Sequence, residues 1–215
     1  MAFLIGYFEV KVRMKLVDLT MSLNNLTPVY PGDSPPEFRM ISSLEKEGWN
    51  THRICMSTHF GTHIDAPWHM LEDGKRLTDY SIEEFVGKGV MVDLRDRKKT
   101  DVNLDNISKK EILLLRTDHT QTIDSPDYFT SFPVISKKLA EQIVKMKFKI
   151  VGIDSFTMDA DPFIIHKYFF KNNIICLENL VNLHFLSNKS FTLFVLPLKL
   201  DKMDGAPCRV VAQIE

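Results

Sequence analysis

Three histidines and a carboxylate fall within the stretch His59-Phe60-Gly61-Thr62-His63-Ile64-Asp65-Ala66-Pro67-Trp68-His69. Neutral imidazole nitrogens and a carboxylate oxygen are the ligands that zinc and its neighbours prefer, and ligands this close in sequence leave little chain entropy to lose on binding. The stretch therefore reads as a metal-binding loop. A helix would bring His59 and His63 together at i, i+4, but Pro67 would break it and Gly61 would weaken it from within, so fixed irregular backbone is expected. Three ligands from one loop leave an ion open on one side, which suits catalysis better than a closed structural site.

The pattern His-x-Gly-Thr-His-x-Asp-x-Pro-x-His, met here at every fixed position, resembles the signature of the cyclase family of metal-dependent hydrolases, which includes bacterial kynurenine formamidases. The order of landmarks from about Met14 onward is also similar to that family. By this resemblance one ion takes His59, His63 and Asp65, and a second takes Asp65, His166 and Glu178, with Asp65 bridging. The resemblance thus implies two divalent ions per chain, zinc first and manganese as the alternative. Two divalent charges about 3.5–4 Å apart need an anion between them, and water acidified toward a pKa of about 7 supplies hydroxide at neutral pH. That hydroxide is expected to attack a small amide or lactam carbonyl. His69 is left to move protons between water and the leaving nitrogen, a role that suits imidazole.

The substrate-contact residues follow from the same region. Thr27-Pro28-Val29-Tyr30-Pro31-Gly32-Asp33 is a turn-rich loop stiffened by two prolines, and a ring held on it makes a pocket wall. Tyr30 stands where the resembling formamidases carry a substrate-contacting tryptophan. Phe60 and Trp68, inside the metal motif, are candidates for either pocket wall or core. An arylformamide such as N-formylkynurenine is the first substrate class the resemblance suggests, with isatin-like lactams and other small cyclic amides or esters next. Two other classes compete: a lyase or cyclisation enzyme using the same Lewis acid, and a non-catalytic metal- or ligand-binding homologue.

Other chemistry-bearing residues have plainer readings. His52, His119 and His184 are read as solvated or structural. Glu178 sits in an apolar strand, Cys176-Leu177-Glu178, where a carboxylate is costly unless paired or metal-bound. Asp204-Gly205-Ala206-Pro207 is read as a turn. Arg209 is read as an exposed strand arginine.

The elements that must position these groups are legible in pattern. Strands are expected at Leu16–Leu19, Phe38–Leu44, Arg53–Ser57, Val90–Leu94, Glu111–Arg116, Lys149–Asp154, Ile174–Leu177, Phe191–Leu198 and Cys208–Ile214. Ser81 with Glu84 has the spacing of a capping box and predicts a short helix, and Ser136 caps an amphipathic helix through Leu139, Ile143, Val144 and Met146. Phe163 to Phe170 has room for two more helical turns. Strands outnumber helices and alternate with them mainly in the second half, which predicts an α/β or α+β sheet with peripheral helices. The resemblance sharpens this to a single compact α/β domain with a mixed β-sheet or barrel-like core, in a homodimer or homotetramer.

With 215 residues, no internal repeat and no low-complexity linker, the chain is read as one domain, 1–215, of which 1–13 is a possible N-terminal extension. It is 44% hydrophobic and 26% charged, with 27 basic against 28 acidic side chains and a net charge of -1. That balance gives no overall field to recruit nucleic acid or an anionic membrane, and leaves a small molecule as the expected partner. Cys55, Cys176 and Cys208 are too few and too scattered for a disulfide framework, and the apolar N-terminal run is followed, not preceded, by positive charge. Both features predict a cytoplasmic protein.

Overall fold

The computed structural model describes residues 14–95, 102–105, 107 and 111–215; the possible extension at 1–13 lies outside them. Ten strands are found among these: β1 (Lys15–Asp18), β2 (Glu37–Ser42), β3 (Thr51–Cys55), β4 (His63–Asp65), β5 (Val86–Asp93), β6 (Ile112–Arg116), β7 (Ile150–Ile153), β8 (Ile175–Glu178), β9 (Phe191–Pro197) and β10 (Gly205–Ile214). Three helices accompany them, α1 (Leu44–Glu47), α2 (Lys137–Met146) and α3 (Ile164–Lys171). The main sheet runs β1-β10-β4-β8-β7-β6-β5-β9, and β9 pairs again with β10. Seven strands, β4 to β10, thus close on themselves as a mixed barrel, with β1 added outside on β10. The expected mixed barrel with peripheral helices is the fold.

Closure works because β10 is long enough to serve three partners. Its first residues, Gly205–Pro207, pair with β4, whereas Cys208–Ile214 pair with β9, and Val211–Ile214 carry β1 on the other edge. The parallel run β5-β6-β7-β8 is the other half of the barrel, and β6, β7 and β8 are buried at every residue. Strands covered on both faces are the ones that tolerate continuous apolar sequence.

Side-chain alternation splits that apolar sequence into two cores. Ile112, Leu114, Ile150, Ile175 and Leu177 point into the barrel with Ile64, Phe191 and Val210, while Leu113, Leu115, Val151 and Ile153 face α2 and α3 with Leu139, Ile143 and Phe169. The period of two decides which neighbour in sequence joins which core.

Several expectations from sequence are corrected. Ser81 makes no side-chain cap, and Ile82–Phe85 is a single 3-10 turn. That segment buries only Phe85 before the chain turns into β5, so it is too short a helix to reward a cap. Strand β5 starts at Val86, four residues before the apolar run, because Gly87 and Gly89 hide its pattern. Phe38–Leu44 and Arg53–Ser57 do become β2 and β3, but they pair only with each other, as a hairpin outside the barrel. The Asp204–Pro207 turn is mostly strand, since Gly205 opens β10.

Candidate metal centre

The metal motif is half regular, not all loop: His63–Asp65 is β4, and Pro67–His69 is one 3-10 turn that starts at proline. Alternation then orders the ligands. Ile64 belongs to the barrel core, so His63 and Asp65 on either side of it face outward. On the antiparallel neighbour β8, Glu178 lies directly opposite His63 and Cys176 opposite Asp65. The outward face of this strand pair is roofed by α3, which brings in His166. His59 precedes β4 and reaches over Gly205. A Cβ at Gly205 would lie 2.8 Å from His59 Cε1 and 2.9 Å from the Ile64 carbonyl oxygen, so only glycine admits the ring.

Three imidazole nitrogens converge on two carboxylates. His59 Nδ1 lies 2.7 Å and His63 Nε2 3.2 Å from Asp65 Oδ1. His166 Nε2 lies 3.0 Å from Glu178 Oε1 and 4.0 Å from Asp65 Oδ2. His63 Nε2 is also 3.6 Å from Glu178 Oε2. The expected triads His59/His63/Asp65 and Asp65/His166/Glu178 are each close enough to hold one ion, and a third grouping joins His59, His69 and Asp204.

The opposite nitrogen of each ring is already engaged. His63 Nδ1 donates to the Gly61 carbonyl at 2.8 Å, and Gly61 takes a φ of +61° to present it. His166 Nδ1 makes a very short hydrogen bond to Asp159 Oδ1. His59 Nε2 donates to Asp204 Oδ2 at 2.8 Å. An acceptor behind each imidazole fixes its tautomer and aims the other nitrogen's lone pair, which is the outer shell that metal-ligating histidines have. Asp65 and Glu178 are 2% and 4% exposed, and their ion-pair partners among the described residues are all histidines. Two buried carboxylates partnered by histidines alone are left uncompensated once those rings are neutral, as ligating imidazoles must be, and divalent cations fit that site.

The protonation equilibria say the same. Burial opposes charge on His59 and His166, but the carboxylates outweigh it: Asp65 and Asp204 push His59 up to about 10, and Asp159 and Glu178 push His166 up to about 10. His63 is also raised against its burial, chiefly by Asp65, and the histidines in turn hold Asp65 well below the carboxylate range. The site gathers positive charge, whether proton or metal ion.

A cavity of about 470 Å³ opens over this cluster. His69 lines it, as do Tyr30, Phe156 and Phe163, with Asp33 and Lys167 among the exposed residues of its wall. Tyr30 packs edge-on against Phe129 and tilted against Phe156, at centroid distances of 6.3 and 6.0 Å. The other two aromatic candidates do not line the cavity. Phe60 is buried against Phe38, and Trp68 lies under the Arg76 guanidinium on the surface. Consecutive residues of the motif point different ways, so only some can face the pocket. His52 and His184 are exposed; His119 is buried against Tyr128, and all three lie outside the metal groupings.

Sequence reasoning missed Asp159 and Asp204 behind the histidines, and Phe156, Phe163 and Lys167 of the cavity wall. Asp159 sits in the buried irregular segment after β7, with no spacing that ties it to His166. Asp204 stood in a segment read as a turn, though its neighbours Gly205 and Pro207 do mark a special backbone.

A closed mixed barrel with a histidine–carboxylate cluster on its outer face, under an open pocket, is the architecture of a metal-dependent hydrolase. The Cyclase family model matches residues 17–160. Kynurenine formamidase of Bacillus anthracis is 33% identical over 212 residues, 92% of this chain and 96% of its own length. That of Bacillus mycoides strain KBAB4 is 33% identical over 210 residues. Among solved structures, a potential metal-dependent hydrolase with cyclase activity matches with a TM-score of 0.76 and 27% identity, over 94% of this chain and 98% of the other. Isatin hydrolase A from Labrenzia aggregata has the same fold, with a TM-score of 0.81 at 24% identity over 94% of each chain. The chain belongs to the cyclase family of metal-dependent hydrolases.

Proposed function

We propose that this protein hydrolyses a small arylformamide, with a related lactam as the next substrate class, using two divalent ions per chain. His59, His63 and Asp65 would hold one ion, and Asp65, His166 and Glu178 the other. The carrying observation is the convergence of three pre-aimed imidazole nitrogens on two buried carboxylates at the floor of the cavity. When bound, divalent ions supply Lewis acidity, polarising a carbonyl and acidifying water toward neutrality. Zinc suits the N/O donor set first and manganese second.

The chain's own residues account for the rest. Tyr30, Phe156 and Phe163 form an aromatic wall against which an aryl ring would pack, leaving its amide over the cluster. His69, on the turn that follows β4, faces the same cavity and passes a proton from water to the departing nitrogen. Asp33 and Lys167 would meet an ammonium and a carboxylate, the two ends of an amino-acid side arm such as that of N-formylkynurenine. The relatives' shared name, kynurenine formamidase, supports that choice of substrate.

The test is turnover of N-formylkynurenine, a plain arylformamide lacking the side arm, and isatin by protein loaded with zinc or manganese. The expected result is hydrolysis of both formamides, with Lys167→Ala raising KM for N-formylkynurenine alone. An equal KM change for both formamides would remove Lys167 from recognition. Binding of all three without any turnover would overturn the hydrolase reading for these substrates.

No described helix is long and apolar enough to cross a membrane, and Cys55, Cys176 and Cys208 are all free thiols. Both fit the cytoplasmic location proposed from sequence. The β2–β3 hairpin leaves Met40, Ile41 and Ile54 about half exposed, at 51, 52 and 54%. A two-stranded hairpin is marginal in water, and the exposed apolar side chains on this one suit a subunit contact, which supports a homo-oligomer.

A further inference from the structure

We propose that Asp204 is the positioning residue of His69, and that one of its carboxylate oxygens ties this proton carrier to the metal ligand His59. The inference rests on the hydrolase reading above, but one of its tests does not need turnover. Asp204 Oδ2 lies 2.8 Å from His59 Nε2 and 3.2 Å from His69 Nδ1. The other oxygen, Oδ1, accepts the Thr58 hydroxyl at 3.1 Å. The two rings lie side by side, with centroids 3.9 Å apart and planes inclined by 36°.

The turn does not need this side chain. Its loop is docked by main chain, the Ala66 N–H donating to the Asp204 carbonyl at 2.8 Å and the Leu77 N–H to that of Met203 at 3.3 Å. The carboxylate is free for the site.

An ionised carboxylate only accepts hydrogen bonds, so both nitrogens that share Oδ2 carry hydrogen. For His59 this leaves Nδ1 toward Asp65, the nitrogen whose lone pair an ion would take once that ring is neutral. For His69, whose ring lines the cavity, it leaves the Nε2 lone pair without a hydrogen bond among the described residues and able to accept a proton from water. When Nε2 gains that proton, Asp204 faces an imidazolium and stabilises it; when the proton passes to the leaving nitrogen, the starting tautomer returns. The carboxylate itself stays ionised throughout, as an orienting aspartate does behind a catalytic histidine. Because Oδ2 is shared, an ion held by His59 would strengthen its Nε2–H donor at the same oxygen that holds His69, which would link metal loading to the geometry of the proton carrier.

The experiment uses Asp204→Asn, which is nearly isosteric at a side chain 30% exposed and keeps the shape of the loop. Asparagine loses the charge, and in the flip that turns its NH2 toward the rings it donates where Oδ2 accepted, which favours the other His69 tautomer. Long-range ¹⁵N–¹H spectra of the full chain at one fixed pH, metal-free and zinc-loaded, report which ring nitrogen of His69 carries hydrogen. The expected result is Nδ1–H in the native protein and a mixture of tautomers in the variant. With metal saturating, kcat for an anilide should fall by about 10²–10⁴, the range of general acid–base contributions, with zinc content kept. For a matched nitrophenyl ester, whose leaving group needs no proton, the fall should be at least about tenfold smaller. Unchanged tautomers in Asp204→Asn, or equal losses on anilide and ester, would overturn the proposal. If native protein hydrolyses neither compound, the hydrolase reading fails and the tautomer measurement still decides the role of Asp204.

Discussion

His63 and His69 are six residues apart in one motif and have opposite environments, so removing them should have different consequences. His63 is 3% exposed and wedged between Asp65 and Glu178, whereas His69 lines the open cavity and pairs with Asp204 and stacks on His59 among the described residues. His63→Ala deletes a ligand, and metal content and activity are expected to vanish together. His69→Ala is expected to keep the metal and lose about 10²–10⁴ in kcat. Elemental analysis beside kcat separates the two; loss of metal from His69→Ala would make it a ligand.

The same residues predict proton traffic on metal binding. In the metal-free site His59 and His166 are raised to about 10, so both are protonated at pH 8. A ligating imidazole must be neutral, so loading zinc at pH 8 should release about one proton from each of these two rings. Calorimetry in two buffers of different ionisation heat measures this number. Because these folded pKa values lie above the free value of 6.5, their contribution to metal-free stability is complete below about pH 6.5. It is lost as the pH rises through about 10. The metal-free chain should therefore melt at a lower temperature at pH 10 than at pH 6, and bound zinc should flatten that slope.

At the scale of elements, two serines with similar sequence signals give opposite predictions. Ser136 precedes α2 and its hydroxyl accepts the Leu139 N–H at 3.1 Å, so Ser136→Ala should cost about 1 kcal/mol. Ser81 makes no such bond, and Ser81→Ala should stay within about 0.5 kcal/mol of the native protein. Urea melts of both variants check the pair. Neither residue lines the cavity, so activity should not move. The contrast shows what local sequence can decide. A cap needs a helix long enough to reward it, and α2 has an apolar face of Leu139, Ala140 and Ile143 that packs on the sheet. The segment after Ser81 offers only Phe85 as a buried residue before the chain turns into β5.

On the scale of the molecule, the hairpin and the barrel behave differently. The barrel buries its apolar side chains in two continuous cores. By contrast β2 and β3 have no buried residue, and Phe38, Met40 and Ile54 share one face of the pair. If this face joins a second copy, light scattering should report a dimer or larger, and Met40→Glu with Ile54→Glu should give a monomer that keeps the barrel's circular dichroism. A native monomer would remove the hairpin from any subunit contact.

How far the sequence by itself determined this protein follows from the range of the forces involved. The metal motif, the alternating apolar strands and the cap of α2 are short-range features, written in residues a few positions apart. They sufficed for an α/β or α+β sheet, which family resemblance sharpened to a mixed sheet or barrel, and they named the metal motif, with His166 and Glu178 reached through that resemblance. What only the tertiary structure decided depends on pairing between distant segments. Barrel closure needs β10 to bond β4, β9 and β1 at once, and no local pattern encodes which strand closes on which. That same pairing sets Gly205 opposite Asp65 and brings Asp204, 145 residues away in sequence, onto the ring of His59. Asp159 likewise becomes an imidazole partner only because α3 folds back over β8. The two carboxylates behind the histidines act through contacts that exist only once the barrel has closed, so their place at the site was invisible in the chain and plain in the fold.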